Sequence, residues 1–249
     1  MEHDFIDKYA NLESPIHKLD VRVKIAIFIF FIFSVVTTSK FLDYIFYFIL
    51  IFSILVLSKI PLNFVFKRSL IIVPFVILIS IFIPFMKDGN VIFSLFFLKV
   101  TENGVLTFFN VLIKAWLSVV SMILLTSTTQ FSNLLHGFEA LKVPKIVVML
   151  MSFVYRYLFV FEDEIMRMRR AAYSRNIKKG FFHQIGVFGN IVGSLFLKTY
   201  ERGERIYVSM TSRGFDGKIR TFKEFELKKS DVLFFSLFVF YILVVKVVL

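Results

Sequence analysis

Long stretches with almost no charged side chains are the feature that most constrains this chain. Five mostly apolar stretches lie between charged boundaries, at residues 25–39, 44–58, 69–86, 105–130 and 232–245. A membrane-spanning helix needs about 20 apolar residues, and lysines that snorkel at the ends bring the shorter stretches to an adequate length. Pro74 and Pro84 predict a kink in the third stretch. We therefore predict an all-α, polytopic membrane protein with about five transmembrane helices.

The composition excludes the soluble alternatives. Hydrophobic residues make up 57% of the chain and charged residues 19%, whereas soluble domains have about 45–50% apolar and about 25% charged residues. The net charge of +12 would suggest nucleic acid in a soluble protein, but in a membrane protein it reflects the excess of Lys and Arg in cytoplasmic loops. We predict contact with membrane lipid and no nucleic-acid partner. The absence of cysteine excludes disulfides and thiolate chemistry.

The positions of the basic residues predict the orientation. With five spans, the N-terminus and a long segment between the fourth and fifth spans lie on one side and carry nearly all Lys and Arg. The basic residues on the other side are Lys40, Lys87, Lys99 and Lys246. Since cytoplasmic loops are the basic ones, we predict a multi-pass protein of the cell membrane with a cytoplasmic N-terminus and an external C-terminus.

The chain divides into three regions. We predict that residues 1–130 form a membrane domain with four spans, residues 131–230 a cytoplasmic region and residues 231–249 the last span, all within one integral domain. Residues 89–98 are too short to span and predict an outer loop. The cytoplasmic region has the pattern of a short amphipathic helix followed by two long helices, one from Pro144 to about residue 176 and one from about Gly189 to Arg213. Gly180 marks the break between the two long helices.

Both long helices begin apolar and end basic. Their last turns read Ser174-Arg175-Asn176 and Ser212-Arg213-Gly214. One arginine at a helix C-terminus is explained by the macrodipole, but two similar ends indicate docking, because a guanidinium there can donate to a carboxylate or carbonyl of another protein. A second group of arginines could support this docking or face anionic lipid headgroups instead. They are Arg167, Arg170, Arg202 and Arg205.

Three groups of residues resemble a known family. The segment SPIHKLDVRVK at residues 14–24 resembles the family's N-terminal motif, with Val21 in place of the usual proline. The segment YRYL at 155–158, followed by EDE at 162–164 and MRRA at 168–171, resembles its long-helix signature. The two arginine ends resemble its X-Arg-X motifs, with Asn176 in place of glycine. On these residues the chain is similar, over essentially its whole length, to the transmembrane T component of energy-coupling factor (ECF) transporters, and most closely to the cobalt-transport Q protein family (CbiQ).

The resemblance implies a non-catalytic coupling subunit of an ATP-driven importer. The T component transmits the motion of two ABC-type ATPase subunits to a substrate-binding S component, here with cobalt as the expected substrate and nickel, biotin or another vitamin as alternatives. The chain itself would bind no cofactor, and ATP and Mg would be bound by the partner ATPases, in line with the lack of a G-x-x-x-x-G-K-[ST] motif. Arg175 and Arg213 would enter grooves on the two ATPases, and we expect the two ends to lie close together.

Other function classes are less well supported. A self-contained channel or transporter usually keeps paired charges or broken helices at mid-membrane, and a membrane enzyme needs catalytic polar groups within its spans. The four histidines show no metal-ligand spacing, so we predict no metal site. The acidic cluster at 162–164 is expected to form local ion pairs with Arg167 and Arg169 rather than a catalytic pair, because residues at i and i+2 do not share a helix face.

Overall fold

The computed structural model describes residues 9–38, 40–89, 91–95, 98–175, 180–217 and 227–248. The chain forms two compact units. One contains residues 2–137 and 224–249, and the other contains residues 138–223.

The first unit contains most of the helices and a small hairpin. Its elements are α1 (Val21–Thr37), α2 (Phe41–Ser58), α3 (Leu62–Leu70), α4 (Val73–Ser80), α5 (Ile83–Met86), β1 (Val91–Leu95), β2 (Leu98–Thr101), α6 (Glu102–Ser127), most of α7 (Phe131–Ala140) and α10 (Lys229–Val248). The second unit contains α8 (Lys145–Arg175) and α9 (Phe181–Ser212). The predicted all-α membrane fold is therefore confirmed.

Three helical stretches among the described residues are long and apolar enough to cross a membrane. They are Phe41–Ser58, Leu62–Met86 and Glu102–Ser127, and the second of them comprises α3, α4 and α5 in succession. The first and last predicted spans fall on α1, which has 17 residues, and on α10, which has 20 residues. The count of five spans stays a prediction.

The predicted kink in the third stretch is confirmed. Pro74 and Pro84 lie in the first turns of α4 and α5, and turns at residues 71–72 and 81–82 precede these helices. A proline has no N–H to donate to the carbonyl four residues earlier, and its ring clashes with that carbonyl. Each break therefore comes just before a proline.

The predicted outer loop at residues 89–98 is replaced by secondary structure. Strands β1 and β2 pair antiparallel, with Leu95 opposite Leu98 and an irregularity between Val91 and Phe93. The run Val91-Ile92-Phe93 is rich in β-branched and aromatic residues, which favour strands. Thr101 ends β2 and caps α6, since its Oγ1 accepts from the Gly104 N–H at 3.2 Å.

The core of the first unit lies among α1, α2, α6 and α10. Phe31 and Tyr47 are fully buried there, with their rings edge to face and 5.7 Å apart. The Tyr47 hydroxyl is within hydrogen-bond distance of Ser34 Oγ (2.8 Å) and Thr38 Oγ1 (3.2 Å), so the buried polar groups satisfy one another. The outer face stays apolar, as Phe41 and Ile79 show with 68% and 74% exposure, which is typical of a surface that contacts lipid.

The two long helices of the second unit occur as predicted, with one difference in length. Pro144 directly precedes α8, and its carbonyl accepts from the Val147 N–H at 2.9 Å. Gly180 lies at the predicted break and is the N-cap of α9. Helix α9 begins at Phe181, earlier than the predicted start near Gly189, because a single glycine costs about 1 kcal/mol in a helix without ending it.

Candidate functional site

The end of α8 carries the first predicted docking arginine. Arg175 is the last residue of the helix and is exposed. The Ser174 hydroxyl donates to the carbonyl of Arg170 at 3.0 Å, so this serine is bonded within the last turn. Asn176 lies outside the described residues. The Arg175 guanidinium has no hydrogen-bond or ion-pair partner among the residues that the structure describes.

The end of α9 carries the second predicted docking arginine and is closed by a Schellman motif. Gly214 has φ 81°, its N–H donates to Thr211 O at 2.9 Å, and the Phe215 N–H donates to Met210 O at 3.0 Å. A left-handed glycine at this position lets the chain satisfy the last carbonyls of the helix. Arg213 is therefore not needed as a cap, and its exposed side chain has no partner among the described residues.

The same serine arrangement occurs at both ends. The Ser212 hydroxyl donates to Val208 O at 2.8 Å, as Ser174 does to its own i−4 carbonyl. Such bonds keep a serine hydroxyl on the helix. Among the described residues of the two predicted triplets, the arginines are therefore the side chains with donors left for a partner.

Helices α8 and α9 run antiparallel where they meet. Glu164 of α8 pairs with Lys198 of α9 at 2.7 Å. Further along α8, Arg169 and Tyr173 line a groove of about 320 Å³ together with earlier residues of α9, among them Phe188. Later residues of α8 thus meet earlier residues of α9, which defines opposite directions.

This geometry separates the two arginine ends. The 33 residue steps from Gly180 to Arg213 span about 50 Å at 1.5 Å per residue. The five residue steps from Arg175 to Gly180 can cover at most about 18 Å, so Arg175 and Arg213 lie roughly 30 Å or more apart. The expectation that the two ends lie close together is wrong, because antiparallel helices place their C-termini at opposite ends.

The acidic cluster of α8 forms the predicted local ion pair with Arg167 and one with Lys198 that the sequence did not suggest. The predicted pair with Arg169 is not found among the described residues, where the Arg169 guanidinium lies 5.9 Å from the centroid of the Tyr173 ring instead. Glu164 pairs with Arg167 at 2.6 Å and with Lys198 at 2.7 Å. The hydrogen bond from Lys198 holds the pKa of Glu164 below its ordinary value; burial opposes this shift, and the charges of Lys198 and Arg167 add to it. Local pairing with Arg167 is readable from the i, i+3 spacing, whereas Lys198 is 34 residues away and leaves no local signal.

The four arginines that could support docking differ in how far their side chains already contact other residues of this chain. Arg167 is paired with Glu164, and Arg205 lies 3.8 Å from Glu201. The Nε of Arg170 donates to Met166 O at 3.3 Å, while Arg202 is half-buried. The side chains of Arg167, Arg170 and Arg205 therefore already form polar contacts with other residues of their own helix, whereas those of Arg175 and Arg213 have no such contact in the described part of the chain.

The N-terminal motif at residues 14–24 is a closed polar cluster in the first unit. Asp20 caps α1 by accepting from the Arg22 N–H at 2.8 Å. Lys24 is only 2% exposed, and its Nζ donates to His17 O (3.1 Å), Thr128 O (3.0 Å) and Thr129 Oγ1 (3.3 Å). The motif therefore fastens the start of α1 to the end of α6, a role that the sequence pattern alone did not reveal.

His17 within this cluster has a defined proton arrangement. Its Nε2 lies 3.0 Å from Tyr9 O, an acceptor, so Nε2 carries the proton. Its Nδ1 then accepts from the Ser14 hydroxyl at 2.7 Å. Burial lowers the pKa of His17 below its ordinary value, and the charge of Lys24 adds to this, against the hydrogen bond to Tyr9.

No group of three or more potential metal ligands occurs among the described residues. His3 lies outside them, and the side chain of His183 is also outside what the structure describes. The predicted absence of a metal site stays a prediction.

An α-helical membrane protein with two long, basic-ended antiparallel helices is the class that this fold defines. A family model described as "Cobalt transport protein" (CbiQ) matches residues 13–223. The chain belongs to the CbiQ family.

Similar proteins agree with this membership. An uncharacterized protein of Methanocaldococcus jannaschii is 27% identical over 240 residues, which cover 94% of this chain and 82% of that protein. The energy-coupling factor transporter transmembrane protein EcfT of Clostridium kluyveri is 28% identical over 242 residues, 91% of this chain and 89% of that protein. A putative fused cobalt transport protein CbiMQ of Methanocorpusculum labreanum is 32% identical over 107 residues, 43% of this chain and 18% of that protein.

Proposed function

We propose that this chain is the non-catalytic coupling subunit of an ATP-driven ECF importer, and that Arg175 and Arg213 each dock on one of two ABC-type ATPase subunits. The observation that carries the proposal is the pair of exposed arginines at opposite ends of the α8–α9 unit. Two separate grooves on two subunits require two separated contacts, and ends roughly 30 Å or more apart meet that requirement. The relatives named EcfT support the same kind of complex.

Each arginine is suited to insertion into a partner. A guanidinium offers five donors in a planar fork that fits a carboxylate with two parallel hydrogen bonds. At Arg213 the backbone alone closes the helix, so the side chain can leave the helix surface without fraying it. ATP and Mg would be bound by the ATPases, and this chain would hold neither.

The sides of the same two helices supply an apolar surface for a second partner. Large side chains along α8 and α9 are exposed, including Leu150 (55%), Phe188 (67%) and Phe196 (68%). Exposed apolar area of this extent marks a contact with protein or membrane. We assign it to the substrate-binding S component, so that motion imposed at the arginine ends reaches that subunit.

The pair between Glu164 and Lys198 supports transmission through the unit. It joins α8 to α9 at 2.7 Å, between the two arginine ends along the helices. A shift of one helix is therefore passed to the other instead of being absorbed by a loop. In the membrane we place α1 and α10 as further spans, with the N-terminus and α8–α9 on the cytoplasmic side.

Cobalt is the substrate that we propose, in line with the family description. Nickel, biotin and other vitamins are the alternatives. Uptake of radiolabelled cobalt by cells expressing the complete transporter, measured against competing nickel and biotin, tests this assignment. Cobalt uptake unaffected by loss of this chain would contradict it.

The docking role is tested by co-purification with the ATPase subunits. Losing one partner of a buried charge pair costs about 3–5 kcal/mol, a more than 100-fold loss of affinity. We expect Arg175→Ala and Arg213→Ala each to weaken ATPase binding, and the double variant to abolish it. Because the two sites are far apart and share no partner, the two losses should add to within about 0.5 kcal/mol.

The matched control is Arg169→Ala, which removes the same charge from an exposed position on α8 where the guanidinium lies 5.9 Å from the centroid of the Tyr173 ring. It should leave ATPase recovery near the wild-type amount. Full recovery of ATPase by the double variant, with the chain still monodisperse, would refute the docking role.

A further inference from the structure

Two lysines converge on the C-terminal end of α1 in the first unit. Lys114 of α6 donates to Val36 O at 2.8 Å, and Lys246 of α10 lies 3.3 Å from Thr37 Oγ1. Lys246 is exposed and Lys114 is half-buried, with its hydrogen bond to Val36 O in an exposed position. Each ammonium has three donors, and these contacts use one donor on each lysine, so donors remain for an anion.

A polar layer also lies at the opposite end of α1, where Lys24 donates to Thr128 O. The 13 residue steps from Lys24 to Thr37 correspond to about 20 Å of helix. The 14 steps from Lys114 to Thr128 on the antiparallel α6 correspond to about 21 Å. Two helices thus give the same apolar thickness, well below the roughly 30 Å of a bilayer's hydrocarbon core.

The side of the unit formed by α4 and α5 is thicker. There Lys87 donates to Thr107 Oγ1 at 2.6 Å, and the 21 steps from Thr107 to Thr128 correspond to about 31 Å. This matches an ordinary bilayer. The outer polar boundary therefore differs by about 10 Å between the two sides.

Snorkelling does not remove this difference. A lysine whose stem lies in lipid normally extends its ammonium toward the nearest interface. Here the Lys114 ammonium is hydrogen-bonded to the end of α1, so its charge is held at that level. Anionic groups of the bilayer must reach the ammonium, because an exposed charge within hydrocarbon is costly.

We propose that Lys114 and Lys246 bind lipid phosphates and hold the headgroup layer about 10 Å deeper along α1 and α10 than along α4 and α5. The apolar belt of this protein is therefore uneven, and the adjoining leaflet is thinned on one side. The inference rests on the proposed placement of α1 and α10 as membrane spans.

Spin labels on single cysteines test the inference, since the chain has no native cysteine. Val36 on α1 is 55% exposed and Phe75 on α4 is 67% exposed. The two lie at similar levels, because Val73 and Val76 of α4 line one groove with Leu112 and Trp116, which flank Lys114 in the sequence. Depth would be measured by electron paramagnetic resonance, from collision with oxygen and a nickel chelate in phospholipid vesicles.

We expect the label in Val36→Cys at headgroup depth and the label in Phe75→Cys about 10 Å deeper. Equal depths would overturn the inference. Adding Lys114→Leu and Lys246→Leu should move the label at position 36 into the hydrocarbon and leave the label at position 75 unchanged. The matched control Lys87→Leu should leave the depth of the label at position 36 unchanged. If the depth of that label is also unchanged by Lys114→Leu and Lys246→Leu together, the inference is overturned.

A third label separates this inference from the proposed spans. Ile29 lies in the middle of α1 and is 58% exposed. If α1 crosses the membrane, the label in Ile29→Cys is inaccessible to the nickel chelate. A water-exposed label at position 29 would refute the span itself, whereas a buried one with equal depths at 36 and 75 would refute only the uneven belt.

Discussion

Lys24 provides the sharpest test of how the first unit is held together. The residue is 2% exposed and donates to His17 O, Thr128 O and Thr129 Oγ1. Replacing it by Met keeps most of the apolar stem and removes every donor. The two carbonyls and the hydroxyl then lose a charged partner in a site that water reaches poorly.

The expected cost follows from these three contacts. Hydrogen bonds to charged groups contribute about 1.5–3 kcal/mol each, while removing a buried ammonium also removes its desolvation penalty, which offsets part of the loss. We expect Lys24→Met to destabilise the protein by about 3 kcal/mol. At about 2–4 °C per kcal/mol for a chain of this size, the thermal midpoint in detergent should fall by roughly 6–12 °C.

The control lies in the same motif. Lys18 is exposed, so Lys18→Met makes the same chemical change where surface substitutions usually alter stability by no more than about 0.5 kcal/mol. Both midpoints would be measured by fluorescence-detected size exclusion after heating. If the two variants lose the same stability, the Lys24 contacts do not fasten α1 to α6 and the reasoning is refuted.

Three further predictions concern single side chains. Burial lowers the pKa of His17, so neutral His17 contributes to stability above about pH 6.5, the unfolded value. This contribution to stability is lost as pH falls through the folded pKa. The thermal midpoint should therefore drop on acidification, and less so in His17→Gln. A Cβ on Gly104 would lie 2.7 Å from Pro84 Cα, so Gly104→Ala should lower the midpoint, whereas Gly186→Ala, with open space around it, should stabilise α9 by about 0.5–1 kcal/mol, read out by hydrogen exchange. Tyr47→Phe leaves two buried hydroxyls without their shared partner and should cost about 1–2 kcal/mol, measured by the same thermal assay.

The helices could be predicted from sequence because lipid leaves the backbone few alternatives. A polar backbone in hydrocarbon must bond within its own segment, so each apolar run had to be helical, and Pro74 and Pro84 had to interrupt one of them. The hairpin at β1 and β2 lies outside these runs and depends on strand propensity, which is a weaker signal.

For the two arginine ends, the sequence predicts the position of each arginine at a helix terminus but not the distance between them. Their positions at the helix termini followed from local rules, since Gly214 closes a helix in the way that a C′ glycine does. Their separation depends on the direction in which α9 returns along α8, and that direction is set by distant contacts such as the one between Glu164 and Lys198. The role of Lys24, the charged residue directly before the first apolar stretch, could not be predicted for the same reason, because its acceptor at Thr128 is 104 residues away.

Because α8 and α9 run in opposite directions, the length of α9 sets the distance between Arg175 and Arg213. One residue inserted in the middle of α9 would advance Arg213 by about 1.5 Å and swing it through about 100°, away from any groove matched to its present heading. Point substitutions on the exposed sides of α8 and α9 leave the distance between the two arginines unchanged. Gaps and insertions between Gly180 and Gly214 should therefore be far rarer among functional variants than changes of side chain.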